Sequence, residues 1–356
     1  MENLNSILEP IQQTYKLPAL AAAIVTSDGM RAIGAVGERK YGSGISVTVG
    51  DRFHLGSCTK AMSATLMGIL VEAGTLQWRT TLAEAFPRLE MLPVYRQVTL
   101  EQLLLHQGGF PGPSQPWLTG KTVMEMHDLP GSSIQQQRYA YLELALQQPP
   151  AFPIGEYHYS NMGYVVAAAM AEQALGESWE DLITQKLFQP LGMTSAGFEP
   201  IASPDEVAEP WPHLRDTMTL ELIPLEPQKD NPPLISPAGR VRCSLEDWGK
   251  FLSLHLQGEL GSATLLQPKT LRKLHTAPLV EQENIQIGHY AFGWVVTEQD
   301  WTNGAALWHN GSNTLNYALV WVAPKRNLAL MAVTNIDGEL AYVGTNLAIN
   351  RIHACV

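Results

Sequence analysis

Hydrophobic residues cluster or alternate as in strands near both ends of the chain and recur at helical spacing between them. Apolar runs on either side of the Asp28-Gly29 turn predict two strands, at 19–26 and 31–37. Four further strands are predicted late in the chain, at 292–297, 305–309, 317–322 and 328–334. Helical periodicity with its start and stop residues predicts helices at 5–15, 57–74, 98–106, 139–147, 162–175, 179–187, 245–256, 268–274 and 338–352.

This order of elements predicts an α/β fold, with one antiparallel sheet built from both termini, flanked by helices, and a mostly helical domain inserted in the middle. We place the sheet domain at residues 1–56 and 235–356 and the helical domain at 57–234. Proline is dense between about 200 and 237. Because proline interrupts helices and central strands, this stretch is predicted to be a long ordered loop or lid.

The first candidate chemistry lies at the start of the predicted helix 57–74. Ser57 and Lys60 are three residues apart and share a helix face, so a hydroxyl and an amine come within reach of one another. The positive end of the helix dipole disfavours the ammonium form of Lys60, and the free backbone N–H groups there can receive an oxyanion. The pattern indicates a nucleophile beside a base. The alternative is that Ser57 is only the N-cap of the helix.

A second candidate group is Tyr159-Ser160-Asn161, which precedes the predicted helix 162–175. In an extended segment, residues two apart point the same way, so Tyr159 and Asn161 are expected to project together. A tyrosine titrates near pH 10, and Tyr159 can act as a base only if a cation such as Lys60 lowers its pKa. In the alternative interpretation, Asn161 caps the following helix and Tyr159 packs in the core.

The third candidate group is His309-Asn310-Gly311-Ser312. A glycine inside a strand marks a close approach by a ligand or another backbone, so a substrate can lie along this edge with the N–H of Ser312 facing its carbonyl. His309 then supplies a hydrogen-bonding, partly cationic group. The alternative is an ordinary hairpin turn at Asn310-Gly311 with a satisfied surface histidine beside it.

Together the three groups form Ser-x-x-Lys, Tyr-x-Asn and His-x-Gly motifs in one order along the chain. This set resembles the serine β-lactamase and penicillin-binding-protein superfamily, specifically the class C β-lactamase-like branch with D-alanyl-D-alanine carboxypeptidases, family VIII esterases and D-aminopeptidase-like hydrolases. The resemblance covers nearly the whole chain. It extends to 103–111, 190–193, 236–239, Asp247, Phe251, Pro324 and 334–335.

The resemblance implies a β-lactamase/transpeptidase-like fold and a serine hydrolase that acts through an acyl-enzyme on a small ester or amide. Ser57 would be the nucleophile, and Lys60 and Tyr159 would shuttle its proton. Asn161 would orient the substrate carbonyl or Lys60. The N–H groups of Ser57 and Ser312 would form the oxyanion hole, with His309 and Gly311 lining the substrate edge.

One departure from the family pattern bears on substrate choice. His309 stands where class C β-lactamases have a lysine, and its weaker charge argues against recognition of a β-lactam carboxylate. Two alternatives to a hydrolase of small esters or amides remain open. The first is a D-Ala-D-Ala carboxypeptidase or β-lactamase, and the second is a catalytically silent binding or assembly protein. Cys58, turned away from Ser57 on the helix, is interpreted as a packing residue more readily than as a nucleophile. Four further residues are candidates for lining the cleft: Trp117, Trp211, His213 and Tyr290.

Composition and motif content argue against several classes of partner. The formal net charge of -11 opposes binding to nucleic acid or acidic membranes, and no run approaches the roughly 18 apolar residues of a membrane helix. No His-Glu-x-x-His pattern or nucleotide-binding loop is present, and the three cysteines are scattered, so no metal or cofactor is expected. The expected partner is a small ester, amide or peptide, with a β-lactam as a further possible ligand. Acidic residues near the N-terminus predict a cytoplasmic protein, or a periplasmic or secreted one if a signal was removed.

Overall fold

A computed structural model describes residues 2–116, 118, 120–126, 129–200, 206–216, 218–278 and 288–356, so Trp117 lies outside the described residues. The strands are β1 (Glu2–Asn3), β2 (Ala19–Thr26), β3 (Gly29–Gly37), β4 (Phe53–His54), β5 (His213–Arg215), β6 (Leu222–Pro224), β7 (Arg242–Cys243), β8 (His289–Tyr290), β9 (Val295–Glu298), β10 (Ala305–Ser312), β11 (Tyr317–Ala323) and β12 (Leu328–Thr334). The α-helices are α1 (Asn5–Thr14), α2 (Thr59–Glu72), α3 (Leu82–Ala85), α4 (Leu100–Leu104), α5 (Ile134–Ala145), α6 (Asn161–Leu175), α7 (Trp179–Ile183), α8 (Ser236–Gly239), α9 (Leu245–Leu260), α10 (Pro268–Leu274) and α11 (Glu339–His353).

The central sheet has eight strands in the order β1-β3-β2-β12-β11-β10-β9-β8. Only the short β1 runs parallel to its neighbour, and the other adjacent strands are antiparallel. β2 pairs with β12, so strands from the two ends of the chain meet in the middle of the sheet. The predicted α/β fold with a sheet built from both termini is therefore confirmed.

Helices cover both faces of this sheet, which explains why β2 and β12 are almost continuously apolar. Successive residues of β2 alternate between the two sides. Leu20, Ala22 and Ile24 pack with α1 and α11, whereas Ala21, Ala23 and Val25 belong to the larger core that contains α2, α6 and α9. This larger core fixes the start of α2 against the sheet and so positions the candidate chemistry.

The proline-rich stretch contains more regular structure than its composition predicts. β5 and β6 form a small antiparallel hairpin within it, in the register His213 to Pro224. Pro224 is the last residue of β6, where a missing N–H costs a strand little. Farther along, Pro233–Ile235 form one 3₁₀ turn that leads into α8. No helix within the described residues has the length and apolar character that crossing a bilayer requires.

A buried arginine joins three helices to this stretch. Arg138 on α5 is completely buried and forms ion pairs with Glu172 on α6 and Glu180 on α7. Its guanidinium also donates to the carbonyl oxygens of Leu234, at 3.3 Å, and Pro233, at 3.4 Å. The segment before α8 is therefore held against the helices by one side chain.

Replacing Arg138 with methionine should lower the free energy of unfolding by about 3–5 kcal/mol, because two buried carboxylates lose their partner. Urea denaturation followed by circular dichroism measures the change. Lys273→Met is a matched control, since both partners of the ion pair of Lys273 with Glu101 are one-third exposed and the pair is expected to contribute less than about 1 kcal/mol. Equal losses in the two variants would contradict the structural role of Arg138.

Candidate active site

Ser57 lies in a tight turn that enters α2. Gly56–Cys58 form one turn of 3₁₀ helix, and α2 begins at Thr59, two residues later than predicted. No side chain caps the start of α2, so the N-cap alternative for Ser57 is wrong. The hydroxyl of Ser57 instead faces Lys60 and Tyr159, and Ser57 is only partly buried, so that a substrate can reach it.

The amine of Lys60 is buried among three oxygen atoms. Nζ lies 3.0 Å from Ser57 Oγ, 2.8 Å from Asn161 Oδ1 and 2.8 Å from the carbonyl oxygen of Ala238. Burial holds the pKa of Lys60 well below its ordinary value, which favours the neutral amine. A neutral amine has two N–H donors and one lone pair. Because Asn161 Oδ1 and the carbonyl of Ala238 only accept, the lone pair is left for the hydroxyl proton of Ser57.

The phenol of Tyr159 donates to Ser57 Oγ at 2.8 Å. Ser160, and not Asn161, caps α6, with its hydroxyl accepting from the N–H of Met162, so Tyr159 and Asn161 are both free to face Ser57 and Lys60. Desolvation of the Tyr159 hydroxyl raises its pKa. The condition under which Tyr159 could act as a base, a pKa lowered by Lys60, is therefore not met, because a neutral amine exerts little pull on a phenolate and burial dominates. Tyr159 rests as a protonated phenol.

Asn310 and Gly311 lie inside β10, where they pair with Leu319 and Ala318 of β11, so the hairpin-turn alternative is wrong. Gly311 is needed there, because a Cβ on it would come 1.9 Å from the carbonyl oxygen of Leu55 and 2.8 Å from the nitrogen of Ser57. A Cβ on Gly56 would come 2.4 Å from the nitrogen of Ser312. The turn of Ser57 and the end of β10 thus touch backbone to backbone.

The end of β10 also has an open edge. β9 pairs with residues 305–308 of β10 and goes no further. Within the described part of the chain, residues 309–312 have no strand partner on that edge. The backbone nitrogens of Ser57 and Ser312 both lie at this junction, 2.8 Å from a Cβ built on Gly311 and 2.4 Å from one built on Gly56.

His309 is a buried neutral side chain. Its Nδ1 faces the carbonyl oxygen of Asn310 at 2.5 Å, which places the proton on Nδ1, and its Nε2 lies 3.2 Å from the hydroxyl of Tyr290. Burial, with the nearby Lys60 as a smaller cause, lowers the pKa of His309 to about 3. The expectation of a partly cationic histidine is therefore wrong. His309 offers the site hydrogen bonding without charge.

Two contributors to the site were not assigned a role from the sequence. The ring of His106 lies 4.4 Å from those of Tyr159 and Tyr290, between centroids, and its Nδ1 accepts the N–H of Ser160 at 3.1 Å. The other is the carbonyl of Ala238, which no side-chain motif can reveal. Both lie in stretches that carried the family resemblance, at 103–111 and 236–239, and this was the available signal.

The remaining candidates divide between site and scaffold. Tyr290 lies at the site beside His309. His213 instead contacts the N–H of Tyr41 and the carbonyl of Asn335, and Trp211 lies under the amine of Lys40. Cys58 is buried, its thiol faces the carbonyl of His309 at 3.6 Å, and burial raises its pKa, all of which suits a packing residue.

Similarity to known proteins extends over nearly the whole chain. The sequence model of a family described as Beta-lactamase matches residues 4–353. Penicillin-binding protein 4 of Amycolatopsis lactamdurans is 24% identical over 336 residues, covering 92% of this chain and 83% of that protein. Unguisins hydrolase ungD' of Aspergillus campestris is 24% identical over 86% of this chain, which spans only 57% of its length.

Among solved structures, D-amino acid amidase from Ochrobactrum anthropi SV3, complexed with L-phenylalanine amide, matches with a TM-score of 0.73. The match covers 99% of both chains at 18% sequence identity. A match at this level of identity shows that the fold is shared and does not show that the substrate is shared.

Proposed function

This chain belongs to the beta-lactamase family, which confirms the predicted resemblance and the predicted class of serine hydrolase, and we propose that Ser57 is its acyl-accepting nucleophile. The observation that carries the proposal is the pair of contacts at Ser57 Oγ, 3.0 Å from Lys60 Nζ and 2.8 Å from the hydroxyl of Tyr159. A hydroxyl in this position can lose its proton to the lone pair of Lys60. The phenol of Tyr159 then supplies the proton that the leaving group needs.

In the acylation step, Ser57 Oγ bonds to the substrate carbonyl carbon while its proton moves to the lone pair of Lys60. The carbonyl electrons move to oxygen, and the N–H groups of Ser57 and Ser312 stabilise the resulting oxyanion. When the intermediate collapses, the bond to the leaving group breaks and Tyr159 protonates that group. Tyr159 then regains a proton from the ammonium of Lys60, which leaves an acyl-enzyme and a neutral amine at Lys60.

Deacylation repeats these steps with water as the nucleophile. Tyr159 takes the proton of the attacking water while its own proton passes to the lone pair of Lys60. The same oxyanion hole holds the second tetrahedral intermediate. Collapse returns the proton to Ser57 Oγ and releases the carboxylic acid. No group outside this chain is needed for the proton balance, which suits a serine hydrolase without a cofactor.

The charge of the site favours substrates without a carboxylate beside the scissile bond. Among the described residues, Lys60 is the only lysine or arginine that contacts Ser57, Asn161, Tyr159 or His309, and burial lowers the pKa of its amine, which favours the neutral form. The stretches outside the described residues contain no lysine or arginine in the sequence. With His309 also uncharged, we propose small esters and amides as substrates, ahead of penicillins and D-Ala-D-Ala peptides.

The proposal is tested by intact-mass and peptide mapping after incubation with a fluorophosphonate, together with hydrolysis of p-nitrophenyl butyrate, nitrocefin and a D-Ala-D-Ala peptide. We expect one adduct, on the peptide that contains Ser57, and a kcat/KM at least about tenfold higher for the ester than for the two carboxylate-bearing substrates. No adduct with the fluorophosphonate and no reaction with any of the three substrates would instead support a binding or assembly protein. Faster turnover of the D-Ala-D-Ala peptide would support a carboxypeptidase.

Replacing Tyr159 with phenylalanine should lower kcat/KM by about 10²–10³-fold on an anilide, because the amine leaving group needs a proton. On p-nitrophenyl butyrate the loss should be at least about tenfold smaller, since p-nitrophenolate leaves unprotonated. Stopped-flow acylation rates on both substrates measure the difference. Tyr141→Phe, which alters a buried tyrosine on α5, is the control. Equal losses on both substrates would show that Tyr159 is not the proton donor.

A further inference from the structure

Asp230 lies buried between the two backbone segments that carry the proposed oxyanion donors. Its side chain is 3% exposed and belongs to the proline-rich stretch, far in sequence from both segments. We infer that Asp230 is a positioning residue that fixes the N–H of Ser57 relative to the N–H of Ser312. This inference rests on the proposed function and adds to it the element that sets the geometry of the oxyanion hole.

The first connection runs through His54 to the turn of Ser57. His54 Nδ1 accepts the N–H of Gly56 at 3.0 Å, and its Nε2 lies 2.9 Å from Asp230 Oδ1. Because Nδ1 accepts, the proton of the neutral ring is on Nε2, the nitrogen that lies nearest the carboxylate. His54 is 2% exposed, and this burial lowers its pKa despite the nearby carboxylate. The ring therefore joins Asp230 to the residue that precedes Ser57.

The second connection runs through Asn313 to the end of β10. Asn313 Nδ2 donates to the same Oδ1 of Asp230 at 2.9 Å. Asn313 Oδ1 in turn accepts the N–H groups of Leu315, at 3.2 Å, and Asn316, at 2.9 Å. The turn that directly follows Ser312 is thus held by its own amide side chain, and that side chain is held by Asp230.

Two buried arginines keep Asp230 in its charged form. Asp230 Oδ2 lies 3.0 Å from Arg242 and 3.8 Å from Nε of Arg240. Burial opposes ionisation, but His54, Arg242 and Arg240 outweigh it and hold the pKa of Asp230 well below its usual range. Arg242 also pairs with His54 across the β4–β7 ladder. Burial holds the cluster in place, because His54, Asn313, Arg240 and Arg242 around Asp230 are each at most 5% exposed.

This placement affects the tetrahedral state more than the bound substrate. An oxyanion hole acts when both donors lie about 2.7–3.1 Å from the developing charge, and a misplacement of about 1 Å can cost about 10²-fold in rate. Loss of Asp230 frees both segments at once, while the residues that contact Ser57 Oγ stay in place. The expected change is therefore in kcat and not in KM.

The test uses Asp230→Asn, which preserves size and removes the charge. We expect kcat/KM for p-nitrophenyl butyrate to fall by about 10²-fold with KM within about threefold of wild type. The affinity for an arylboronic acid, which forms a tetrahedral adduct on serine, should fall by a similar factor, whereas that for the non-acylating butyl p-nitrophenyl ether should not change. Asp247→Asn is the matched control, since this carboxylate is equally buried but bonds Ser195 and Lys250 away from the site.

If Asp230→Asn does not fold, two further variants test the connections through His54 and through Asn313 separately. In His54→Asn the amide oxygen can still accept the N–H of Gly56 but the side chain no longer reaches Asp230, and Asn313→Ala removes the second connection. Each should lower boronate affinity and kcat together, by about tenfold. Folded variants with wild-type kcat and boronate affinity would overturn the inference, as would an equal loss of ether affinity. Absence of a wild-type adduct at Ser57 would instead refute the proposed function.

Discussion

Ser57→Ala is expected to lower kcat/KM for every acyl substrate by at least about 10⁴-fold, because no other group in the site can form the acyl-enzyme. Among the groups within reach, Lys60 is occupied by Asn161 and Ala238, and Tyr159 has a raised pKa and remains a phenol. Initial rates with p-nitrophenyl butyrate and an anilide measure the loss. The variant should keep the wild-type melting temperature within a few degrees, since Ser57 caps no helix.

Cys58→Ala provides the control at the adjacent position. Its thiol is buried against the carbonyl of His309, so its removal should leave kcat/KM within about tenfold of wild type. If Cys58→Ala had lost activity while Ser57→Ala had kept it, the thiol would be the nucleophile and the assignment of Ser57 would be wrong. The pair of variants thus tests the identity of the nucleophile without reference to any substrate preference.

Replacing Lys60 with methionine is expected to lower kcat/KM by about 10³–10⁴-fold, because Ser57 loses the lone pair that accepts its proton. Lys60→Arg should be impaired to a similar extent, since a guanidinium keeps the positive charge but cannot accept a proton at any working pH. Single-turnover acylation rates measure both. An arginine variant within about tenfold of wild type would show that Lys60 acts as a fixed charge and not as a base.

Acylation by the wild type should depend on pH through the protonation of Lys60. The pKa of Lys60 is lowered by burial, so its amine is neutral above that lowered pKa and carries a proton below it. The rate of acylation should therefore fall as the pH drops through this value and stay level above it. A rate that rises on acidification would contradict the role of the neutral amine, because only the neutral form has a free lone pair.

The fold was predictable where local pattern and tertiary packing agree. The bounds of β2, α10 and β12 were predicted to the residue, because each is an apolar or proline-started segment with clear stop signals. Asn310-Gly311 is a common turn sequence, but here the backbone pairing with β11 keeps both residues in β10, which extends to Ser312. In the proline-rich stretch, the proline content predicted a loop and did not predict the hairpin of β5 and β6. The predicted domain limits and compartment stay predictions.

The site was predictable to the extent that its members form spaced motifs. Ser57 with Lys60, and Tyr159 with Asn161, each share a face of one local element, so spacing alone pairs them. The protonation states were not predictable, because they depend on burial by residues distant in sequence. The contact of His54 with Asp230 spans two unrelated segments and leaves no periodic signal. Sequence therefore indicated which residues meet, and the packing determined their charge.

The pairing of β2 with β12 also determines when the enzyme is completed during synthesis. The N–H of Ala19 bonds to the side chain of Asn335, which is 316 positions later. Closing so long a loop is entropically costly and slow, and the early strand waits on the ribosome for its partner. Ser57 and Lys60 emerge long before Ser312, so a nascent chain carries the nucleophile without its oxyanion hole. Hydrolytic activity should begin only once the chain has been made through β12 and Asn335.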